Sequence, residues 1–228
     1  RDREVGEPDF PMAAAIDSAA KAALDDGHTL YSPATGIPEL REAISRWYSD
    51  VFRIDIPVHR IMITPGASGA LLLISALLIQ RGRGVLMADP GYPCNRNFLR
   101  LFEGEEQLVP VGPEDNFQLS AKKARSHWQE NTVGVLVASP SNPTGTLVSQ
   151  QELKALHKLC NERDGVLIVD EIYQQLVYQT PVSTVLEITD EAFVLNSFSK
   201  YFGMTGWRLG WLVAPEEAVN TMEVLAQN

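Results

Sequence analysis

The chain has few of the residues and segments that stabilise small secreted proteins or anchor proteins in membranes. Its 228 residues include only two cysteines, Cys94 and Cys160, and their separation fits no short metal-binding motif. We therefore expect neither a disulfide framework nor a metal site, and we predict a reducing compartment, the cytoplasm. The longest apolar stretch, 67–79, is shorter than the ~20 residues that a membrane-spanning helix requires. These scarcities predict a soluble protein without a membrane partner.

Positive charge is also scarce. The chain carries 19 Lys and Arg against 29 Asp and Glu, a formal net charge of −10. The basic residues are scattered, whereas a nucleic-acid-binding surface gathers them on one face. A nucleic-acid partner is therefore not expected. The hydrophobic fraction of 45% is ordinary for a globular protein, and the length suits one large α/β domain or two small ones.

Short apolar runs alternate with helical patterns along most of the chain. Strands are predicted at 61–64, 85–88, 107–111, 133–138, 166–169, 193–196 and 209–213. Helices are predicted at 12–24, from Pro38 onward, and at 69–79, 92–101, 120–129, 149–161 and 215–228. Strands that are rich in Val, Ile and Leu predict an α/β fold, with a mostly parallel seven-stranded sheet covered by helices on both faces. Ligands of such sheets bind beyond the carboxyl ends of the strands.

Three of these strand ends carry turns with two possible roles each. The small-residue turn at 65–71 opens a helix, whose unpaired N–H groups suit a phosphate or simply mark the helix start. Tyr92, in a Pro- and Gly-rich turn, could stack on a flat ring or cover the core. Asn142 could donate a hydrogen bond to a ligand or brace its own turn.

Two further strand ends carry charge. Asp170 directly follows a buried strand, where a carboxylate is costly unless a cation or donor pairs with it. Lys200 follows the strand at 193–196, and a desolvated lysine there can form a Schiff base. Arg208 lies eight residues later and can bind a phosphate through its forked guanidinium. By itself, Lys200 could equally be a solvated surface residue.

Together these segments resemble a known family. Tyr31-Ser-Pro-Ala-Thr-Gly, Ser141-Asn-Pro-Thr-Gly, Asp170-Glu-Ile-Tyr and Ser197-Phe-Ser-Lys, followed by Gly-Trp-Arg-Leu-Gly, occur in one order and spacing along the chain. They resemble the class I/II aminotransferases of fold type I, which depend on pyridoxal 5'-phosphate (PLP), and in particular the aspartate, aromatic and alanine aminotransferase branch. The resemblance extends over the whole chain.

The resemblance implies a role for each matching residue. Lys200 would hold PLP as a Schiff base and move the proton, Asp170 would pair with the pyridine nitrogen, and Glu171 would be a less important neighbour. Residues that would contact the ring or its phenolic oxygen are Tyr173, Asn142 and Tyr92. Residues that would bind the phosphate are Ala67, Ser68, Ser197 and Arg208, with Tyr31 reaching the phosphate in a neighbouring subunit. Gly6 would lie beside the substrate.

The resemblance also implies an organisation and partners. Residues 1–30 would form an N-terminal segment, part arm and part small domain, and residues 31–228 a PLP-binding large domain that is incomplete at its C-terminus. The rest of the small domain, with the arginine that binds the substrate's α-carboxylate, has no match here, so the chain is expected to be a piece of a longer protein. A homodimer with shared sites, acting on an amino acid and a 2-oxo acid, is implied.

Two alternatives remain on the same fold. A PLP-dependent lyase or synthase would use nearly the same motifs, because the orientation of the substrate over the ring decides which bond breaks. An aminotransferase-like domain that senses PLP in a transcriptional regulator would be preceded by a basic DNA-binding domain.

Overall fold

A computed structural model describes residues 6 and 8–227 of the chain. One seven-stranded sheet forms its centre, with the strand order β1-β7-β6-β5-β4-β2-β3. The strands are β1 (Ile61–Thr64), β2 (Gly84–Asp89), β3 (Glu105–Pro110), β4 (Thr132–Ala138), β5 (Val166–Asp170), β6 (Phe193–Ser197) and β7 (Gly210–Val213). The mostly parallel sheet predicted from the apolar runs is confirmed.

One strand runs against the others. The pairs β2–β3, β2–β4, β4–β5 and β5–β6 are parallel, whereas β7 is antiparallel to both β6 and β1. Strand β1 therefore points the same way as the parallel strands. As a result, the amino end of β7 lies at the same edge of the sheet as the carboxyl ends of the other six.

Helices cover both faces. They are α1 (Ala14–Asp25), α2 (Pro38–Phe52), α3 (Gly66–Leu78), α4 (Asn95–Leu101), α5 (Ala121–His127), α6 (Gln150–Glu162) and α7 (Val219–Ala226). One core joins α2, α5 and α6 to residues such as Val135 and Val137, and the other joins α3 and α7 to Leu136 between them. This alternation along β4 follows from the two-residue period of a strand. Helix α1 has no buried residue.

Helix starts differ from the predictions at two places that bear on the site. Helix α3 begins at Gly66 rather than at residue 69, and α4 begins at Asn95 rather than at residue 92. In the first case Gly66 takes a φ of +71°, which only glycine adopts readily. In the second, Pro93 and the turn before it leave Tyr92 outside the helix. The end of the predicted terminal helix, residue 228, lies outside the described residues.

The helices that the structure describes are short. None combines the length and the apolar character needed to cross a bilayer.

Candidate active site

A cavity of about 450 Å³ lies at the edge of the sheet where the strand ends meet. Five strands contribute a residue from their own end or from an adjoining loop, β1 is followed by α3, whose first turn contributes Ala67 and Ser68, and β3 contributes none. The predicted site residues that line the cavity are Gly6, Ala67, Ser68, Tyr92, Asn142, Asp170, Tyr173, Ser197, Lys200 and Arg208. Residues separated by up to about two hundred positions in the sequence are therefore neighbours, because parallel strands bring their carboxyl ends together.

Asp170 forms the floor of the cavity. Its side chain is 7% exposed, and its Oδ1 accepts a hydrogen bond of 3.0 Å from the backbone N–H of Ile172. Burial raises the pKa of Asp170 to about 6, against a smaller lowering by that hydrogen bond. A carboxylate in this environment fits a cationic ring nitrogen, because such a partner offsets the cost of burying the charge.

Three side chains of the cavity wall surround this carboxylate. Burial, and then the charge of Asp170, raise the pKa of the Tyr173 hydroxyl, against a smaller lowering by the neighbouring side chain of Asn142. Tyr92 is 39% exposed, and a hydrogen bond with the Cys94 thiol contributes most to raising the pKa of Tyr92 to about 12. The wall thus combines hydrogen-bonding groups with an accessible aromatic ring, which suits a flat polar ligand.

Lys200 reaches the cavity from the loop after β6. Its Nζ lies 5.7 Å from the centre of the Tyr173 ring and donates a hydrogen bond to the carbonyl oxygen of Gly6. A Cβ atom built on Gly6 would lie 3.5 Å from Tyr173 Oη and 3.7 Å from Lys200 Nζ. Gly6 therefore lies directly beside the lysine amine and the tyrosine hydroxyl, and its lack of a side chain keeps this space open.

The other end of the cavity is suited to an anion. The first turn of α3, with Ala67 and Ser68, faces it, and the first N–H groups of a helix have no intrahelical partner. Arg208 stands beside this turn, held by a 2.8 Å hydrogen bond from its Nη1 to the carbonyl of Thr205. A Cβ atom on Gly66 would lie 2.7 Å from Arg208 Nη2. Glycine at this position therefore lets the guanidinium lie against the helix start.

Six residues that line the cavity were not among the site residues predicted from the sequence: Leu71, Ala138, Ile172, Ser199, Thr205 and Gly206. Ser199 had a visible signal, because the turn Ser197-Phe-Ser-Lys carries two hydroxyls, and their Oγ atoms lie 2.8 Å apart. Thr205 and Gly206 had none beyond their position before Arg208. Tyr31 is the one predicted residue that does not line the cavity, since its side chain is fully exposed in the chain.

Comparison with known proteins agrees with this arrangement. The sequence profile described as aminotransferase class I and II matches residues 4–228. The chain belongs to the class I and II aminotransferase family. Enzymes of this family depend on PLP, and the cavity offers a carboxylate, a lysine and an anion-binding end to match its ring nitrogen, carbonyl and phosphate.

Individual relatives are similar over nearly the whole chain. A valine–pyruvate aminotransferase from Mycobacterium tuberculosis is 41% identical over 225 residues, which cover 98% of this chain and 58% of that protein. An aspartate aminotransferase from Pyrococcus horikoshii is 34% identical, covering 97% of this chain and 57% of that protein. The chain thus spans less than three fifths of the length of these relatives.

Solved structures of aminotransferases superpose closely on the fold. An aminotransferase from Mycobacterium tuberculosis has a TM-score of 0.93 at 41% identity, over 98% of this chain and 62% of that one. The aspartate aminotransferase of Thermus thermophilus with maleate has a TM-score of 0.92 at 31% identity, over 98% and 59%.

Proposed function

We propose that this chain is the cofactor-binding part of a PLP-dependent aminotransferase that moves an amino group between an amino acid and a 2-oxo acid. The observation that carries the proposal is that Lys200 and the buried carboxylate of Asp170 line one cavity, with Arg208 at its other end. Membership of the aminotransferase family supports the same reaction.

We assign the floor and wall of the cavity to the cofactor's ring. The Asp170 carboxylate would accept a hydrogen bond from the protonated pyridine nitrogen. Asn142 and Tyr173, which both line the cavity wall, would donate to the ring's phenolic oxygen. Tyr92 would stack on the ring face. When bound, PLP supplies an electron-withdrawing ring that stabilises the negative charge left on a substrate's Cα.

The anion-binding end would hold the phosphate. Ala67 and Ser68 would offer helix N–H groups, Ser197 a hydroxyl and Arg208 a bidentate charge. These contacts would anchor the cofactor without taking part in the chemistry. Tyr31, exposed in the single chain, would complete the phosphate site of a second copy.

Lys200 would be the covalent attachment point of the cofactor. After a substrate's amino group has displaced it, its amine would carry the proton between the substrate's Cα and the carbon C4′ of the cofactor. The carbonyl of Gly6, which accepts a hydrogen bond from Lys200 Nζ, would lie beside the substrate.

The remaining proposals concern the whole protein. Residues 1–30 would belong to the N-terminal arm and small domain, and residues 31–228 to the large domain. The assembly would be a cytoplasmic homodimer with shared sites. The printed names of the relatives, valine–pyruvate and aspartate aminotransferase, identify the first two amino donors to test.

Reductive trapping tests the central assignment. The full-length protein is incubated with PLP, treated with borohydride and digested, and the modified peptide is identified by mass. We expect the label on Lys200, its loss in Lys200→Arg and its retention in Lys154→Arg, which alters an exposed lysine on α6. Label on another lysine, with none on Lys200, would refute the assignment. Formation of a 2-oxo acid from the amino donor, rather than ammonia or a cyclised product, separates a transaminase from a lyase or synthase.

A further inference from the structure

Buried polar side chains lie behind the cavity, between the ends of β5 and β6. Glu171, Gln174, Thr184 and Asn196 are between 1% and 5% exposed, and none of the four is among the residues that line the cavity. Burying such groups costs free energy unless each is hydrogen-bonded. Their concentration next to Asp170 therefore points to a shared role.

Glu171 is held by three donors. Its Oε2 accepts hydrogen bonds of 2.8 Å from Gln174 Nε2 and from Thr184 Oγ1, and its Oε1 accepts one of 2.8 Å from the N–H of Val185. Thr184 and Val185 begin a single helical turn after a long loop. The side chain that was expected to be a less important neighbour of Asp170 is thus the more extensively hydrogen-bonded of the two.

Gln174 extends these contacts to the next strand. Its Nε2 also donates to the carbonyl of Ser183 at 2.7 Å, and its Oε1 accepts a 3.3 Å hydrogen bond from Asn196 Nδ2. Asn196 Oδ1 in turn accepts a 2.8 Å hydrogen bond from the N–H of Ser197. A continuous path of hydrogen bonds therefore runs from Glu171 through Gln174 and Asn196 to Ser197.

Both ends of this path adjoin cofactor-binding residues. Glu171 follows Asp170, and its N–H donates to the carbonyl of Leu195 on β6 at 2.9 Å. Asp170 faces the cavity while Glu171 faces the buried polar group, as successive side chains of an extended segment do. At the other end, Ser197 Oγ lies 2.8 Å from Ser199 Oγ, and Lys200 comes next.

We propose that Glu171, Gln174 and Asn196 form a positioning network that sets the distance and orientation of the Asp170 carboxylate relative to Ser197 and Lys200. The inference rests on the proposed function, because it concerns how the two proposed halves of the cofactor site are held together. None of the three residues touches the cavity, so they act through Asp170 and Ser197. Small displacements at such positions weaken catalysis strongly, because the reacting groups must keep a set geometry.

The electrostatic consequence can be measured. A well-placed Asp170 would keep the pyridine nitrogen of the cofactor protonated. That positive charge would lower the pKa of the Lys200 nitrogen where it is bonded to the cofactor. If the network is broken, Asp170 holds the ring proton less firmly. The midpoint of the pH titration of the cofactor's absorbance should then move upward.

The test is Gln174→Met in full-length protein loaded with PLP, since methionine has a similar volume but forms none of these hydrogen bonds. We expect the absorbance midpoint to rise by about half a pH unit or more and the Kd for PLP to rise about tenfold. The matched control is Gln175→Met, one residue away. Gln175 Nε2 is buried without a hydrogen-bond partner among the described residues. We therefore expect the absorbance midpoint and the Kd for PLP of this variant to equal those of the wild type.

A second pair of variants keeps the test decisive if Gln174→Met does not fold. Gln174→Glu places a carboxylate against Glu171, whereas Gln174→Glu with Glu171→Gln restores one amide and one carboxylate across the same contact. In the double variant, Gln at 171 can donate to both Glu at 174 and Thr184. We expect the single change to shift both measured values and the double change to recover most of the shift.

The outcomes separate this inference from the proposed function. A lower melting temperature in the Gln174 variants, with unchanged absorbance midpoint and PLP affinity, would show that the network only stabilises the fold. That result would overturn the positioning role. A double variant no better than the single one would also overturn it. In both cases borohydride labelling of Lys200 in the wild type would leave the proposed function standing. Absence of that label would refute the proposed function, and the positioning role with it.

Discussion

Asp170 and Glu171 show how two adjacent carboxyl groups can have different roles. Both are buried, but Glu171 accepts three hydrogen bonds from the protein, while Asp170 accepts one and lines the cavity. Burial raises the pKa of both, to about 6 for Asp170 and about 8 for Glu171. The difference in hydrogen bonding, rather than in burial, identifies the group that has capacity left for a ligand.

The raised pKa of Asp170 predicts a pH-dependent stability of the apoprotein. Between the ordinary value of 3.8 and about 6, the folded state binds more protons than the unfolded state. Stability therefore falls as the pH rises through this window, by at most about 3 kcal/mol from this group. We expect apo Asp170→Asn to be more stable than wild type at pH 8 and equal to it near pH 4, measured by urea unfolding.

The effect should reverse when PLP is bound. The amide of Asp170→Asn carries no charge to pair with the pyridine nitrogen, so the Kd for PLP should rise by about a hundredfold or more. An Asn variant that is less stable than wild type at pH 8 without PLP would show that the buried carboxylate is already compensated within the protein.

At the scale of elements, the contact between the start of α3 and the segment before β7 builds the anion-binding end. Gly210, the first residue of β7, approaches so closely that a Cβ atom there would lie 2.7 Å from the carbonyl carbon of Gly66. Arg208, two residues earlier, takes a φ of +53° and thereby turns toward the helix start. Small residues at both positions allow a backbone contact that places an arginine beside unpaired N–H groups.

This contact makes Gly66→Ala a specific test. Alanine at a φ of +71° is strained by about 1 kcal/mol, and its Cβ would displace the Arg208 guanidinium. We expect the Kd for PLP to rise at least about tenfold, the size of a lost charge-assisted hydrogen bond.

The matched control for that change is Gly82→Ala. Gly82 has a φ of +78°, and nothing lies within 4 Å of the position of its Cβ. It carries the same backbone strain without the collision, so it should lose similar stability and keep its PLP affinity. Equal affinities in the two variants would show that Arg208 does not contact the phosphate.

At the scale of the whole molecule, helix α1 and the residues Leu30 and Tyr31 pack little against the rest of the described chain. Helix α1 has no buried residue, and the side chains of Leu30 and Tyr31 are 91% and fully exposed. Exposed apolar and aromatic groups in succession are typical of a surface that another protein covers. The proposed homodimer would provide that cover.

Mixed dimers test whether Tyr31 serves the partner's site. A Tyr31→Phe subunit combined with a Lys200→Ala subunit places both changes in one site and leaves the other site intact. We expect the mixture to recover up to about a quarter of wild-type activity, given random pairing and one intact site in each mixed dimer. Activity that never exceeds the mean of the two parent proteins would contradict a shared site.

The sequence alone determined the seven strands and the residues at their ends. Strands of four to seven residues rich in Val, Ile and Leu are encoded locally, and so are the turns that end them, since glycine and proline restrict the backbone at their own positions. With the rule that ligands bind beyond strand ends, these local signals and the family motifs indicated ten of the sixteen residues that line the cavity. The family motifs supplied the chemical roles that we propose for them.

The tertiary structure decided how these segments meet. Strand order and the reversed direction of β7 are not encoded in any one segment, because they depend on which strands pair across the sheet. That pairing brings Arg208 to the site from the amino end of its strand, and it places Asn196 within reach of Gln174, 22 positions away in the sequence. Hydrogen bonds between residues so far apart in sequence form only when the packed sheet holds their partners within about 3 Å. For that reason the positioning network could not be predicted from the sequence.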